Sequence, residues 1–304
     1  MTAGVRLLTV RHVTVYRYSE PVKLGEHRMM FRPRESHDVR LMRAKLDIIP
    51  HPTDLRWLHD VFDNSVAIAT FGDFTRELRF DSIVTLEQRE TASPDYALEV
   101  EAQTYPFSYP DDDGPDLARA LVRHYPGDEV SRWASRFLSP SGSTDTMALL
   151  GAITLGIRDE FTYVRRAEKG VQRPEDTLRR RSGSCRDFAL FMMEAVRSLG
   201  LAARFVSGYV FMPEAAQASA VGGGATHAWM QVYLPGAGWV DFDPTNSIVG
   251  NRNLIRVAVA WDHGHALPLW GSFIGAASSF LGMDVEVSVT EAARPPWSAA
   301  GVAG

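Results

Sequence analysis

The chain has 304 residues, of which 45% are hydrophobic and 23% are charged, and its formal net charge is -5. This length gives room for one large domain or two medium domains, and the composition is that of an ordinary globular protein. The negative charge argues against nucleic acid or an anionic membrane surface as a partner, so we expect neither.

Targeting features are also missing from the sequence. We find no secretory signal pattern in the first residues, and no apolar stretch approaches the roughly 20 residues of a membrane span. Cys185 is the only cysteine, which excludes an internal disulfide and fits a reducing compartment. We therefore expect a cytoplasmic protein.

The first ninety residues show the alternation of polar and apolar side chains that is typical of β-strands. Val13 and Val15 point one way in the first run, and His12 and Thr14 point the other. Pro, Asp-Asn and Gly separate this run from three more. The pattern predicts an all-β domain over residues 1–92, built from the runs VRHVTVYRYSEPV, LMRAKLDIIPHP, DNSVAIATFG and LRFDSIVTLEQ.

A change in composition follows. Residues 93–114 are rich in Pro, Tyr and Asp, so we interpret them as a linker, with the DDDG run as a solvated turn and not a metal site. Helical patterns then begin a second domain over residues 115–292. The last residues, 293–304, are predicted to be a disordered tail. The helical patterns are DLARALVRHY, DEVSRWASRFL and TDTMALLGAITLGIRDEF.

Cys185 follows Ser-Gly-Ser at the start of another helical pattern, which ends at Gly200. Ser182 and Ser184 are both candidate N-caps, so Cys185 lies at or near the first helical residue. There the free N–H groups and the helix dipole stabilise a thiolate, and the same groups could donate to an oxyanion. The alternative is a small, buried, inert cysteine.

Two later strand patterns offer a base and an acid. In THAWMQVYL, strand alternation puts His227 on the face opposite the apolar residues, toward a polar or cleft side. In GWVDFDPTN, Asp241 and Asp243 share one face, and either could orient an imidazole from the strand end. A strand histidine that caps a hydrogen bond and an Asp-Pro turn are the alternatives. Together the three residue types give a nucleophile, a base and an orienter that one helix-plus-sheet arrangement can assemble.

Two stretches beyond these strands have less definite patterns. The apolar passage LPLWGSFIGAASSFLG, residues 267–282, is broken by Pro, Gly and Ser and is predicted to be buried loop or short helix. His263 and His265 lie just before it. We interpret them as two solvated loop histidines, with lining of a cleft as the alternative.

Several segments resemble the bacterial transglutaminase-like superfamily, namely GSCRDFA, GLAARFVSGY and THAWMQVYLPGAGWVDFDPTN, and RHVTVYRYSEPVKLGEHRMMFRPR resembles the β-domain that precedes this core. The resemblance covers roughly residues 8 to 290. It implies an α+β fold in which a papain-like core, with the cysteine helix packed on an antiparallel sheet, follows an all-β domain. By this resemblance Cys185 is the nucleophile, His227 the general base and Asp243 the orienter.

The resemblance implies no cofactor and no metal, because we find no calcium-site pattern. The second oxyanion donor stays open, with Tyr163 and Gln172 as upstream candidates and Trp229 as a further cleft candidate. A zinc site from Cys185, His227 and Asp243 is disfavoured, since structural sites normally need four ligands.

The expected activity is acyl transfer or hydrolysis at carboxamide or peptide bonds through a thioester, foremost as a cysteine protease or amidase acting on a protein or peptide. One alternative is a crosslinking or amine-transferring transglutaminase. Another is acyl transfer from a thioester donor, as in arylamine acetyltransferases, and a third is a non-catalytic binding or scaffold module. The substrate's identity and the oligomeric state are left open.

Overall fold

A long first strand organises the amino-terminal sheet of the computed structural model, which describes residues 5–89, 96–166, 170–213 and 224–292. The predicted tail and the predicted boundary between residues 92 and 93 lie outside these ranges. The strands pair in the antiparallel order β2-β5-β1-β4-β3. They are β1 (Val5–Met29), β2 (Val39–Ile49), β3 (Asp54–His59), β4 (Ser65–Thr70) and β5 (Phe74–Arg89).

The alternation in the sequence becomes alternating burial in this sheet. In β5, every second residue from Leu78 to Gln88 is buried and those between are half-buried, because successive side chains point to opposite faces. The all-β prediction for this region is confirmed. The four predicted runs omit β3. Its residues are almost all exposed, so its sequence has no apolar periodicity, and the strand forms by pairing with β4.

Helices and short strands make up the next part of the chain. Asp145 caps α3 by accepting a hydrogen bond from Ala148 N at 2.7 Å, and Pro174 opens α4, where its missing N–H costs nothing. The elements are β6 (Thr104–Tyr105), α1 (Gly114–Leu121), α2 (Asp128–Ser135), β7 (Thr144–Asp145), α3 (Thr146–Glu160), β8 (Thr162–Tyr163), α4 (Pro174–Arg180), β9 (Ser182–Gly183) and α5 (Cys185–Ser198).

The second sheet is antiparallel and carries α5 on one face. Its order is β13-β12-β11-β10-β14. One continuous core joins Phe188, Phe191 and Met192 of α5 to Phe205 and Met230 of the sheet. The predicted α+β arrangement, with the cysteine helix packed on an antiparallel sheet, is thus confirmed. The strands are β10 (Ala203–Val210), β11 (His227–Leu234), β12 (Gly238–Asp243), β13 (Ile248–Val249) and β14 (Leu254–Ala260).

Two final strands return to the first sheet. β15 (Leu269–Ile274) and β16 (Phe280–Glu291) both pair antiparallel with β1. The prediction of buried loop or short helix over 267–282 is therefore wrong for Leu269–Ile274 and for the residues from Phe280, and most of this passage is exposed. Backbone pairing with the distant β1 makes the strand, and Gly271 permits it, because a Cβ there would lie 2.1 Å from His27 Cδ2.

The two sheets share an apolar interface. Tyr209 and Ile255 of the second sheet pack in one buried cluster with Leu8, Val10 and Leu86 of the first. The second sheet is therefore covered on both faces, by α5 on one and by the first sheet on the other. Among the described residues, no helix is long and apolar enough to cross a membrane.

Candidate active site

Cys185 is the first residue of α5, as the sequence predicted. Ser184 is the N-cap, with extended backbone angles (φ -88°, ψ 174°), and its carbonyl accepts the first helical hydrogen bond, from Phe188 N at 3.0 Å. The cysteine side chain is largely buried and lines a cavity of about 220 Å³. Its thiol therefore meets both the open end of a helix and a space that a ligand can enter.

Asp187 fixes this helix end from within the first turn. One of its carboxylate oxygens accepts from Ser184 N at 2.8 Å and from Ser184 Oγ at 2.9 Å, and the other accepts from Gln172 N at 2.7 Å and Arg166 Nη1 at 2.9 Å. Burial raises the pKa of Asp187, but these hydrogen bonds outweigh it and hold the pKa below its usual value. Our sequence analysis missed Asp187, although the Ser-x-x-Asp spacing at a helix start signals this reciprocal cap.

His227 and Asp243 form a buried pair at the ends of neighbouring strands. His227 Nε2 and Asp243 Oδ2 are 2.8 Å apart, and both side chains are fully buried. Asp243 also accepts from Thr245 N at 2.9 Å and from Asn246 Nδ2 at 2.9 Å. Asn246 is a further site residue that sequence reasoning did not single out, although it ends the Asp-Pro-Thr-Asn segment.

The charge of Asp243 has a large effect on the pKa of the His227 imidazole. Burial lowers the pKa of His227, but the Asp243 carboxylate, with help from the Cys185 thiol, outweighs burial and raises that pKa to about 10. Burial likewise raises the pKa of Asp243, and His227, Asn246 and Thr245 more than reverse this, so its pKa lies below the usual value. An imidazolium–carboxylate pair is thus the favoured state near neutral pH.

The second ring nitrogen of His227, Nδ1, is not bound by Asp243. Asp243 occupies Nε2, which leaves Nδ1 for Cys185, and the two side chains line the same cavity. Cys185 influences the imidazole as a hydrogen-bonding and charged neighbour. Within the described residues, Nδ1 has no hydrogen-bond partner of ordinary length and angle, so the contact with the thiol is looser than that with Asp243.

Comparison with known proteins places these residues in a family context. The model described as "Bacterial transglutaminase-like N-terminal region" matches residues 8–87, and the model of the "Transglutaminase-like superfamily" matches residues 135–244. The chain joins a bacterial transglutaminase-like N-terminal region to a transglutaminase-like core. Cys185, His227 and Asp243 all lie within the range that the core model matches.

The chain is also similar to relatives and to a solved structure. An uncharacterized protein of Mycobacterium tuberculosis is 28% identical over 297 residues, covering 94% of this chain and 93% of the relative. An uncharacterized protein of Mycobacterium leprae is 34% identical over 113 residues, which cover 37% of this chain and 40% of the relative. The crystal structure of a proposed cysteine protease from Cytophaga hutchinsonii has a TM-score of 0.70 at 18% identity and covers 97% of this chain and 94% of its own. At that identity the likeness shows the fold alone.

Tyr163, Gln172 and Trp229, the further candidates from the sequence, have different positions relative to the cavity. Tyr163 lines the cavity, and burial together with the nearby Cys185 raises the pKa of its hydroxyl to about 12. Gln172 instead donates from Nε2 to Ser182 O at 2.9 Å and faces Asp187 at 3.4 Å. Gln172 is absent from the described lining of the cavity, and its amide is already committed.

Trp229 lies behind the imidazole. Its ring stacks on His227 with centroids 5.9 Å apart and an interplanar angle of 25°, while Nε1 donates to Asp241 Oδ1 at 2.7 Å. Gly208, which pairs with His227 on the neighbouring strand, leaves room for the indole of Trp229, because a Cβ at Gly208 would lie 2.8 Å from Trp229 Cη2. Trp229 is fully buried and supports the imidazole from the side away from the cavity.

Asp241 connects this sheet face to the amino-terminal region. Its carboxylate accepts from Gln231 Nε2 at 2.8 Å and from Arg256 Nη1 at 3.0 Å, in addition to Trp229. Arg256 Nη2 continues to Asp38 Oδ1 at 2.6 Å, in the loop before β2. The sequence left Asp241 and Asp243 equivalent, and the structure gives them different partners: Asp243 bonds His227, and Asp241 bonds the arginine network.

The cavity has walls from both parts of the chain. Met283 and Val285 of β16 line the cavity from the first sheet, and Phe205 lines it from the transglutaminase-like core.

His263 also lines the cavity and is half-buried, so the interpretation of His263 as a solvated loop histidine is wrong. His265 is exposed and packs on Phe62, with ring centroids 6.1 Å apart. In the described parts of the chain no group of three His, Cys, Asp or Glu side chains is arranged to hold a metal.

Proposed function

We propose that this chain is a thiol-dependent acyl-transfer enzyme that hydrolyses peptide or carboxamide bonds. In this proposal Cys185 is the nucleophile, His227 the general base and Asp243 the orienting acid. The observation that carries it is the buried hydrogen bond of 2.8 Å between His227 Nε2 and Asp243 Oδ2, which leaves Nδ1 for the cysteine at the helix start. A base that an acid orients beside a cysteine activates the thiol in this way.

The acylation half begins with the thiolate. Imidazolium at His227, favoured by its raised pKa, is the counterion of a Cys185 thiolate. The sulfur attacks the carbonyl carbon, a C–S bond forms, and the carbonyl electron pair moves to oxygen. When the tetrahedral intermediate collapses, the C–N bond breaks and His227 gives its proton to the departing ammonia or amine.

The deacylation half regenerates the enzyme. A water molecule, deprotonated by the now neutral His227, attacks the thioester carbon. The C–S bond breaks, the acid product leaves, and the thiolate and imidazolium are restored. A primary amine in place of water would give a new amide, which is the transglutaminase alternative.

Two donors are suited to the oxyanion. The backbone N–H of Cys185 is at the first position of α5, where helical N–H groups have no partner within the helix. Tyr163 is the second donor in this proposal, because its raised pKa keeps the hydroxyl protonated at the edge of the cavity. Oxyanion donors of this kind commonly contribute about 10²–10³-fold to turnover.

The test uses the single cysteine as its own reporter. The rate of iodoacetamide alkylation is measured from pH 4 to pH 10 for wild type, His227→Ala and the matched control His265→Ala, whose imidazole is exposed and outside the cavity. We expect wild type and the control to titrate well below about 8.5, the value of a free thiol. His227→Ala should titrate near or above that value.

Two results would contradict the proposal. One is a wild-type midpoint at or above about 8.5 with slow alkylation, which would describe an inert thiol and favour a non-catalytic binding module. The other is an identical pH profile in wild type and His227→Ala. If the thiol is activated, incubation with a peptide library with and without a primary amine distinguishes hydrolysis from amine transfer, since only transfer yields an amine-containing product.

A further inference from the structure

The charged side chains around the proposed nucleophile are basic. Beside His227, the cavity is lined by Arg165, Arg166, Arg186 and His263, and no Asp or Glu is among the described residues of its lining. Arg166 is neutralised by Asp187, with Nη1 and Oδ1 2.9 Å apart. The excess positive charge of the cavity therefore comes from Arg165 and Arg186.

Arg186 is the residue next to the cysteine and is half-buried at the second position of α5. Arg165 is exposed on the segment after β8. Neither guanidinium makes an ion pair or a side-chain hydrogen bond with any residue that the structure describes. Both charges act on the hydroxyl of Tyr163, partly offsetting the rise in its pKa, which puts them close to that hydroxyl and hence to the thiol.

The cavity wall also holds an unused hydroxyl. Ser207 Oγ lies on β10, is buried, and has no hydrogen-bond partner among the described residues. A buried donor without a partner costs free energy, and a ligand oxygen in the cavity would remove that cost. Counting only residues that the structure describes, two guanidiniums and one hydroxyl without partners thus surround a space that no carboxylate lines.

We propose that this cleft selects acyl substrates that carry a carboxylate next to the reacting carbonyl, such as a peptide with Asp or Glu beside the scissile bond. Arg186 and Arg165 would bind the carboxylate, because planar guanidiniums match its two oxygens, and the Ser207 hydroxyl would add a hydrogen bond. The inference rests on the proposed function, since it names the substrate class of the same site.

Iodoacetate and iodoacetamide provide a matched pair of probes. Both react with the thiolate at a CH₂ carbon, but iodoacetate has a carboxylate one bond from that carbon, where iodoacetamide has a neutral amide. The ratio of their two rate constants cancels the thiolate fraction and reports the preference for charge. The ratio for wild type is divided by that for glutathione, to remove the intrinsic difference between the reagents.

We expect the normalised ratio to exceed one by about tenfold or more at low salt and to fall in 1 M NaCl. Arg186→Gln should lower it about five- to tenfold, and Arg165→Gln less, because Arg165 is exposed. Arg186→Lys, which keeps the charge, should retain most of the preference. Arg43→Gln removes an exposed charge on β2, outside the cavity, and should leave the ratio unchanged.

A ratio that stays within twofold of wild type in both Arg186→Gln and Arg165→Gln would overturn the inference. Arg186→Lys is the control for misfolding. It changes the same residue but keeps the charge, so it should retain both the charge preference and the wild-type melting temperature. The two proposals fail separately. Loss of the His227 dependence of the iodoacetamide profile refutes the acyl-transfer proposal, whereas loss of the arginine dependence of the ratio refutes only the anionic substrate class.

Discussion

Asp241 and Asp243 lie two residues apart on the same face of β12, and both are buried, yet the two ends of this face are built differently. At one end Asp243 bonds the imidazole of His227, which borders the cavity. At the other end Asp241 bonds Arg256, which continues to Asp38 in the amino-terminal region. The Asp243 end lies next to the cavity, and the Asp241 end connects the second sheet to the amino-terminal region through Arg256.

The difference shows that the partner, and not burial, decides what a buried carboxylate can do. Burial raises the pKa of both acids; it prevails at Asp241, whereas His227 and its neighbours reverse it at Asp243. Histidine can release and recover a proton near neutral pH, while arginine keeps its charge throughout. The carboxylate at the Asp243 end therefore pairs with a titratable group, and that at the Asp241 end pairs with a fixed charge.

The largest effect should come from Asp243→Asn. Against burial, which lowers the pKa of His227, the carboxylate is the strongest of the groups that raise it, so its loss lowers that pKa and weakens the pairing of the ring with a thiolate. We expect the midpoint of Cys185 alkylation to move up toward about 8.5. Turnover of any peptide substrate should fall on the order of a thousandfold or more.

Asp241→Asn is the matched control for this prediction, because it makes the same chemical change on the same strand face. It should lower the free energy of unfolding. It should leave the pH midpoint of Cys185 alkylation within about 0.3 units of wild type, because the midpoint depends on the thiolate and Asp241 does not bond His227. Equal shifts of the midpoint in the two variants would erase the proposed distinction between the two ends of the face.

Arg256→Met should have the largest effect on stability. It leaves Asp241 and Asp38 buried without their shared cation, and breaking a buried ion pair from one side costs about 3–5 kcal/mol. The free energy of unfolding is measured by urea denaturation, with the exposed Arg43→Met as the control. A loss below about 0.5 kcal/mol, the range of ordinary surface substitutions, would show that the network does not hold the two parts together.

Trp229→Phe should have the smallest effect. Trp229 contacts both His227, the partner of Asp243, and Asp241 itself. The ring still stacks on His227, but the hydrogen bond from Nε1 to Asp241 is lost. We expect a loss of about 1–2 kcal/mol in the free energy of unfolding, with the alkylation midpoint unchanged. A shift of the midpoint as large as that in Asp243→Asn would mean that the indole, and not Asp243, sets the state of the imidazole.

Local patterns predicted the local part of the site. The Ser-Gly-Ser-Cys segment followed by an apolar stripe predicted the helix start at Cys185, because capping and periodicity act within a few residues. Strand alternation put His227 on the face opposite the apolar residues, and in the structure Met230 and its apolar neighbours pack in the core with α5 while His227 stacks on Trp229. Alternation alone gave Asp241 and Asp243 the same face, and only tertiary packing distinguishes them, since it puts Asp243 against His227 of β11 and Asp241 against Arg256 of β14.

Distant pairing accounts for what the sequence did not predict. β3 and β15 have weak strand patterns and form against β4 and β1, which supply the hydrogen bonds. The same return of the chain brings Met283 and Val285 to the cavity, far in sequence from Cys185. The position of His263 in the lining is likewise a product of tertiary packing, and an isolated loop sequence contains no sign of it.

The pairing of β1 with β16 has a consequence for how the protein is made. Leu8 is opposite Glu291, so β1 is synthesised well before the strand with which it pairs. Until then one edge of β1 has unpaired backbone groups, which can recruit other strands. Until β16 has been made, the amino-terminal sheet is therefore incomplete and the cleft lacks the wall that Met283 and Val285 form.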